Sequence, residues 1–132
     1  WNDTFTIVDG TGAIIASEAI APADIPTTLP RVIDEGSPRF SPDSVATFVW
    51  SKRAHVAFTL RHSGAVAIYD VSNPVKPVFA TAVGVGQNEG GNQDEDGSTI
   101  RPEGIAASTN GEYLVVANEG ESSVSLVKSV DL

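Results

Sequence analysis

The sequence predicts an all-β chain that forms part of a β-propeller, built of four-stranded antiparallel blades with about two to three blades represented. Three observations carry this prediction. Short apolar or alternating runs are separated throughout by Gly-, Pro-, Asn- and Ser-rich turns. No stretch has the length and period of an ordinary helix. One unit also occurs twice. HVAFTLRHSGAVAIY at 55–69 aligns with YLVVANEGESSVSLV at 113–127, an offset of 58 (113 minus 55), and Pro42-Asp43-Ser44-Val45-Ala46 resembles Pro102-Glu103-Gly104-Ile105-Ala106.

The elements follow in order. TFTIVDGTGAIIAS, within residues 1–17, alternates apolar and polar residues around an Asp9-Gly10-Thr11-Gly12 turn and reads as the last hairpin of a preceding blade. Residues 18–41 carry Pro22, Pro26, Pro30 and Pro38 and read as an irregular loop, with at most a short helical turn at Glu18 to Asp24. Residues 42–83 read as a complete blade: SVATFVW, AHVAFTL, AVAIYDV and VFATAVG, joined by the turn-like SKR, RHSG and SNPVKP. Residues 84–101 are an acidic Gly/Asn-rich loop between blades. Residues 102–132 form a second, three-stranded blade from GIAAS, EYLVVAN and SVSLVKS. Propellers use about four to eight blades, and an open end leaves backbone groups and apolar faces uncovered. The expectation is therefore that a missing segment, another chain or self-assembly completes the ring. A single β-sandwich of roughly nine strands is the alternative, and the repeat argues against it.

Composition bounds the function. The 132 residues have the length of one domain, and 41% hydrophobic content is too high for a disordered chain. Seventeen acids against eight bases give a net charge of −9, which works against nucleic acid and anionic membrane and suits divalent cations or basic partners. The lack of Cys removes disulfides, Cys-type zinc sites and thiol nucleophiles. The chain begins with Trp1 and contains no Met, so it is expected to be processed or a piece of something longer. No apolar run reaches the roughly 18 residues of a membrane-spanning helix, and no signal peptide is visible. Asn2-Asp3-Thr4 is a glycosylation sequon.

FTIVDGTGAIIASE, PDSVATFVWSKRAHVAFTLRHSGAVAIYDVSNPVKPVF and RPEGIAASTNGEYLVVANEGESSVSLVK together resemble the choice-of-anchor I family, which includes mesenchyme-specific cell-surface glycoproteins and many bacterial secreted proteins. The most specific pieces are VAIYDVSNPVKPVF and RPEGI…LVVANE…SVSL. The resemblance covers nearly the whole chain except the Pro-rich loop and implies the later, C-terminal portion of a longer propeller. It also implies an extracellular, cell-surface or periplasmic location. Some relatives carry phosphatase-like labels or are fused to phosphoesterase domains, but no catalytic motif maps onto this chain. Ser44 departs from the Gly expected by comparison with Gly104, and the stretch between NG and YLVVANE is shorter than in many relatives.

The most suggestive local motif is NQDEDGSTIRPE at 92–103. A calcium loop of twelve residues supplies oxygens from positions 1, 3, 5, 7, 9 and 12 with Gly at position 6. Asn92, Asp94, Asp96, the Ser98 carbonyl and Glu103 would be the ligands here, with Ca2+ the expected cofactor and Gly97 the turn. Ile100 at position 9, Asn92 at position 1 and Thr99 at position 8 depart from the pattern. The repeat also explains Glu103 without a metal, as the counterpart of Asp43. Asp43 and Glu103 open the first strands of their blades and are expected to face a central channel. There they hold a cation, or they serve structure, each capping backbone N–H groups at the strand entry or pairing with Arg39 or Arg101. His55 and His62 have no second His at ligand spacing, and no nucleophile or phosphate-binding motif occurs. Trp50 and Phe58 read as packing residues.

The functional expectation is a non-enzymatic exported or cell-surface module for structural or partner binding, with calcium through the acidic loop. The alternative is a fragment of a metal-dependent phosphoesterase propeller, alkaline phosphatase-like or phytase-like. That alternative needs cationic phosphate ligands beside the acids, and only Arg39 and Arg101 are near in sequence.

Overall fold

The computed structural model of the chain describes residues 4–8, 11, 13–19, 42–86, 93, 94 and 97–129. They are all-β, with antiparallel pairing throughout and one short 3-10 turn at Glu119–Glu121. The strands are β1 (Thr4–Val8), β2 (Ile14–Ala19), β3 (Pro42–Trp50), β4 (Arg53–Leu60), β5 (Ala65–Asp70), β6 (Val78–Gly84), β7 (Gln93–Asp94), β8 (Gly97–Ser98), β9 (Pro102–Ala107), β10 (Tyr113–Asn118) and β11 (Ser123–Lys128). Glu18 and Ala19, expected in the loop and in a short helical turn at Glu18 to Asp24, instead end β2, so the hairpin runs two residues further than expected; the rest of that loop, residues 20–41, lies outside the described residues.

β1 and β2 pair as a hairpin, with Thr4 opposite Ala19. β3 to β6 form a four-stranded sheet in chain order, an up-and-down meander. β9 to β11 form a three-stranded meander, and β7 pairs with β8. Among the described residues these sheets do not close into a barrel or a ring.

The β3–β4 hairpin turns through Ser51 and Lys52 at φ 50 and φ 63. This is the mirror-image turn that matches strand twist, made here without its usual Gly. The central strands β4 and β5 are buried on both faces, which explains why HVAFTL and AVAIY read as continuous rather than alternating apolar runs. One face of the first sheet carries Val56, Phe58, Leu60, Ala65, Ala67 and Tyr69. Phe58 stacks on Tyr69, and Tyr69 meets the edge of Phe79. The other face presents Phe48, Ala57, Val66 and Ile68, which pack with Leu114 and Val116 of the second sheet. Val85 and Ile100, on the connecting segments, complete this layer.

The repeat is structural as well as sequential. In the first sheet the pairing steps from Pro42↔Leu60 to Val45↔Phe58, a β-bulge. In the second it steps from Pro102↔Asn118 to Ile105↔Val116, the same bulge at the equivalent residues. Bulges re-aim strands at defined places, and a bulge at the same place in both units marks them as two copies of one design.

Candidate functional site

The bulge brings the repeated acids together. An extra residue in β3 frees the Ser44 N–H from the ladder. Thr59, fully buried on β4, accepts that N–H at 3.0 Å and donates its hydroxyl to the Glu103 carbonyl at 2.9 Å. One side chain thus ties the bulge of the first sheet to the first strand of the second. Asp43 and Glu103 are thereby held on neighbouring strand starts, with β3 and β9 in contact.

Between them lies Arg61, the first residue of the β4–β5 turn. Its guanidinium is 2.8 Å from Glu119, 3.4 Å from Glu103 and 3.9 Å from Asp43. Arg61 and Glu119 are 58 residues apart, the repeat offset, so equivalent turn positions of the two units bond to each other. The hydrogen bond to Glu119, with the charges of all three acids, raises the Arg61 pKa. The Arg61 bond holds Glu119 below its ordinary value. Glu103 is pushed up, first by the hydrogen bond it shares with Glu119 and then by burial and the neighbouring acids.

The arrangement is a charge cluster in which one guanidinium faces three carboxylates. The guanidinium lies within 3.9 Å of all three carboxylates and offsets part of their charge. Among the described residues, no three His, Asp or Glu side chains are grouped to hold a metal. The sequence offered Arg39 and Arg101 as partners for the acids. Arg39 lies outside the described residues, and the guanidinium found against Asp43 and Glu103 is that of Arg61.

Of the acidic-loop residues, Asn92 and Asp96 lie outside the described residues, and only the backbone is described at Asp94 and Ser98. That backbone is paired, Gln93 with Ser98 and Asp94 with Gly97. Glu103 belongs to β9 and to the Arg61 cluster.

The two histidines lie on β4 and in the turn that follows it. His55 is buried on β4, bonds the Arg53 carbonyl through Nδ1 at 3.0 Å and stacks on Phe48 with ring centroids 5.2 Å apart. His62 sits in the β4–β5 turn.

A second polar cluster centres on Asn118, a strand-end residue expected to bond turn backbone, which bonds side-chain hydroxyls instead. Asn118 is buried at the position of Leu60 and donates through Nδ2 to the hydroxyls of Ser123 at 3.0 Å and Ser125 at 2.8 Å. The Ser125 hydroxyl accepts the Gly86 N–H at 2.9 Å, and the Ser123 hydroxyl donates to Glu121. The serines of SVSLVK therefore point inward, while Val124 and Leu126 point outward and are 69% and 64% exposed. This reverses the alternation expected of a solvent-facing strand. No protein-family model, curated protein or solved structure matches the chain.

Proposed function

We propose that the two sheets are consecutive blades of a β-propeller, and that the module is a non-enzymatic structural or partner-binding unit whose ring is completed by further sheets. One observation carries this. At the offset of 58, the exposed Val115, Val124 and Leu126 of the second sheet correspond to Ala57, Val66 and Ile68 of the first, which are at most 1% exposed. The face of the first sheet that lies under its successor thus recurs, uncovered, on the second. Face-to-face stacking in one sense is how blades follow one another around a propeller.

A location outside the cell rests on the choice-of-anchor I resemblance. A non-enzymatic role rests on the Arg61 cluster, where the repeated acids hold a guanidinium. Calcium binding through Asp94 and Asp96, with Asn92, Ser98 and Glu103, is a separable part of the proposal. Calorimetric titration of wild type against Asp94→Ala/Asp96→Ala tests it; equal heats end it.

The main test is of the uncovered face. The chain is expected to bind an apolar-surface dye or to self-associate in sedimentation, and Val124→Lys/Leu126→Lys is expected to abolish either behaviour while leaving thermal unfolding cooperative. A monomer that ignores the dye contradicts the reading. Chelator-sensitive hydrolysis of a chromogenic phosphate ester would favour the phosphoesterase alternative.

A further inference from the structure

The turn between β9 and β10 carries Asn110-Gly111, the only Asn-Gly pair in the chain. Such a pair can react with itself. The amide nitrogen that follows an asparagine can attack the side-chain carbonyl carbon, and glycine, with no Cβ, obstructs the attack least. Here the Gly111 nitrogen bonds to Cγ of Asn110 and closes a succinimide ring. The Cγ–Nδ2 bond breaks, and Nδ2 leaves as ammonia with the proton that Gly111 gives up. Water then opens the ring at either carbonyl, leaving an aspartyl or an isoaspartyl residue.

The folded turn engages the groups that this reaction consumes. Gly111 donates its N–H to the Ser108 carbonyl at 2.8 Å. Asn110 Nδ2 donates to Glu112 Oε2 at 3.0 Å. Asn110 Oδ1 accepts from the Ser108 hydroxyl at 2.8 Å and from the Glu112 amide at 3.1 Å. The Ser108 hydroxyl also accepts the Tyr113 amide at 2.9 Å, which fixes it to the start of β10. Gly111 itself is buried at φ 70, and a Cβ there would lie 2.0 Å from the Val49 carbonyl oxygen and 3.5 Å from the Phe48 ring of β3. Ring closure takes both donors away from their partners, so the turn has to open and lift from the first sheet.

Either product spoils the closed turn. An aspartyl residue puts an oxygen where Nδ2 now donates, so a second carboxylate faces that of Glu112, and like charges at that range repel. An isoaspartyl residue routes the main chain through the side chain and adds a carbon between Ser108 and Tyr113, whose amide-to-carbonyl bond closes the turn at 2.8 Å. Gly111 has no space beside Val49 in which to absorb that shift. We infer that Asn110-Gly111 is a self-deamidation site kept latent by the docking of the β9–β10 turn on β3, and that its reaction, once the turn lifts, permanently weakens the contact between the two sheets.

The test follows conversion at Asn110 in the intact chain and in a capped peptide of Ser108–Tyr113, both in mildly alkaline buffer. Peptide mapping assigns the product, since Asp9-Gly10 and Asp96-Gly97 can also form imides. Conversion is expected to be at least about tenfold slower in the intact chain, the factor that roughly one net hydrogen bond supplies. Ser108→Ala removes the hydroxyl that holds both Asn110 and Tyr113, and is expected to recover most of the rate of its matching peptide. Urea below the unfolding midpoint is expected to do the same to wild type, by local opening. Equal rates in the intact chain and the peptide overturn the inference. So does a rate that urea leaves unmoved until global unfolding, which would tie the reaction to the whole fold and not to the turn. The consequence is read from Asn110→Asp, expected to lower the urea midpoint, and from Asn110→Asp/Glu112→Gln, expected to match Glu112→Gln alone. A midpoint unchanged by Asn110→Asp, or a loss that Glu112→Gln does not relieve, overturns the proposed weakening.

Discussion

Thr59 shows how much one small residue carries. Its hydroxyl satisfies the Ser44 amide and the Glu103 carbonyl in a fully buried position. Thr59→Val keeps the shape and removes both partners, leaving buried polar groups without hydrogen bonds. The expected loss is about 2 kcal/mol of unfolding free energy in urea titration. Lys52 is the opposite case, a residue at φ 63 in a two-residue turn that favours Gly. Lys52→Gly is expected to stabilise the hairpin by about 0.5–1 kcal/mol, read as a higher urea midpoint with unchanged slope. Asp70 governs a pH dependence. The Ser72 amide and hydroxyl, and then Arg53 at 2.5 Å, hold its carboxyl below the ordinary 3.8. A lowered folded-state value means its stabilising contribution is complete above about pH 4 and is lost as pH falls through the lowered value. The urea midpoints of wild type and Asp70→Ala are expected to differ at pH 6 and to converge on acidification. A constant gap contradicts this.

Elements were legible in the sequence where apolar pattern and turn residues agreed. VFATAVG at 78–84 coincides with β6, and the turn-like SKR and RHSG fall at the β3–β4 and β4–β5 connections. What lay hidden was every contact made across sheets. Arg61 reads as an ordinary turn residue because its partner Glu119 is 58 residues away. Thr59 reads as an alternating strand position because nothing local betrays the bulge that it satisfies. The inward serines of β11 were hidden in part for the same reason, since Ser125 also accepts from Gly86 on the segment that follows the first sheet, 39 residues away. Gly111, in the β9–β10 turn, is another such contact. It sits at φ 70, and a Cβ there would lie 2.0 Å from the Val49 carbonyl oxygen of β3. Gly111→Ala is expected to cost about 2 kcal/mol or more, through a left-handed backbone and a clash with main chain that has no rotamer to move. Thermal unfolding checks this, and an unchanged transition would mean the two sheets do not meet at that turn.

At the scale of the whole molecule, the two sheets are copies of one unit stacked in the same sense. The repeated bulge, the shared offset of the Arg61–Glu119 pair and the correspondence between covered and uncovered faces all express that relation. The repeat in the sequence announced the units, but it left open which face of one met which face of the other. Both faces of β10 and β11 carry apolar residues, so composition does not choose between them. The inward turn of Ser123 and Ser125 toward Asn118 and Gly86 settles the orientation. The most direct test is a methyl–methyl NOE spectrum of the selectively labelled chain. Cross-peaks are predicted between the methyls of Val66 and Ile68 on the first sheet and those of Leu114 and Val116 on the second. The methyls of Val124 and Leu126 are predicted to show none to the first sheet. Cross-peaks from Val124 and Leu126 to Val66 or Ile68, or the absence of any contact between the two sheets, would contradict the stacked-repeat account.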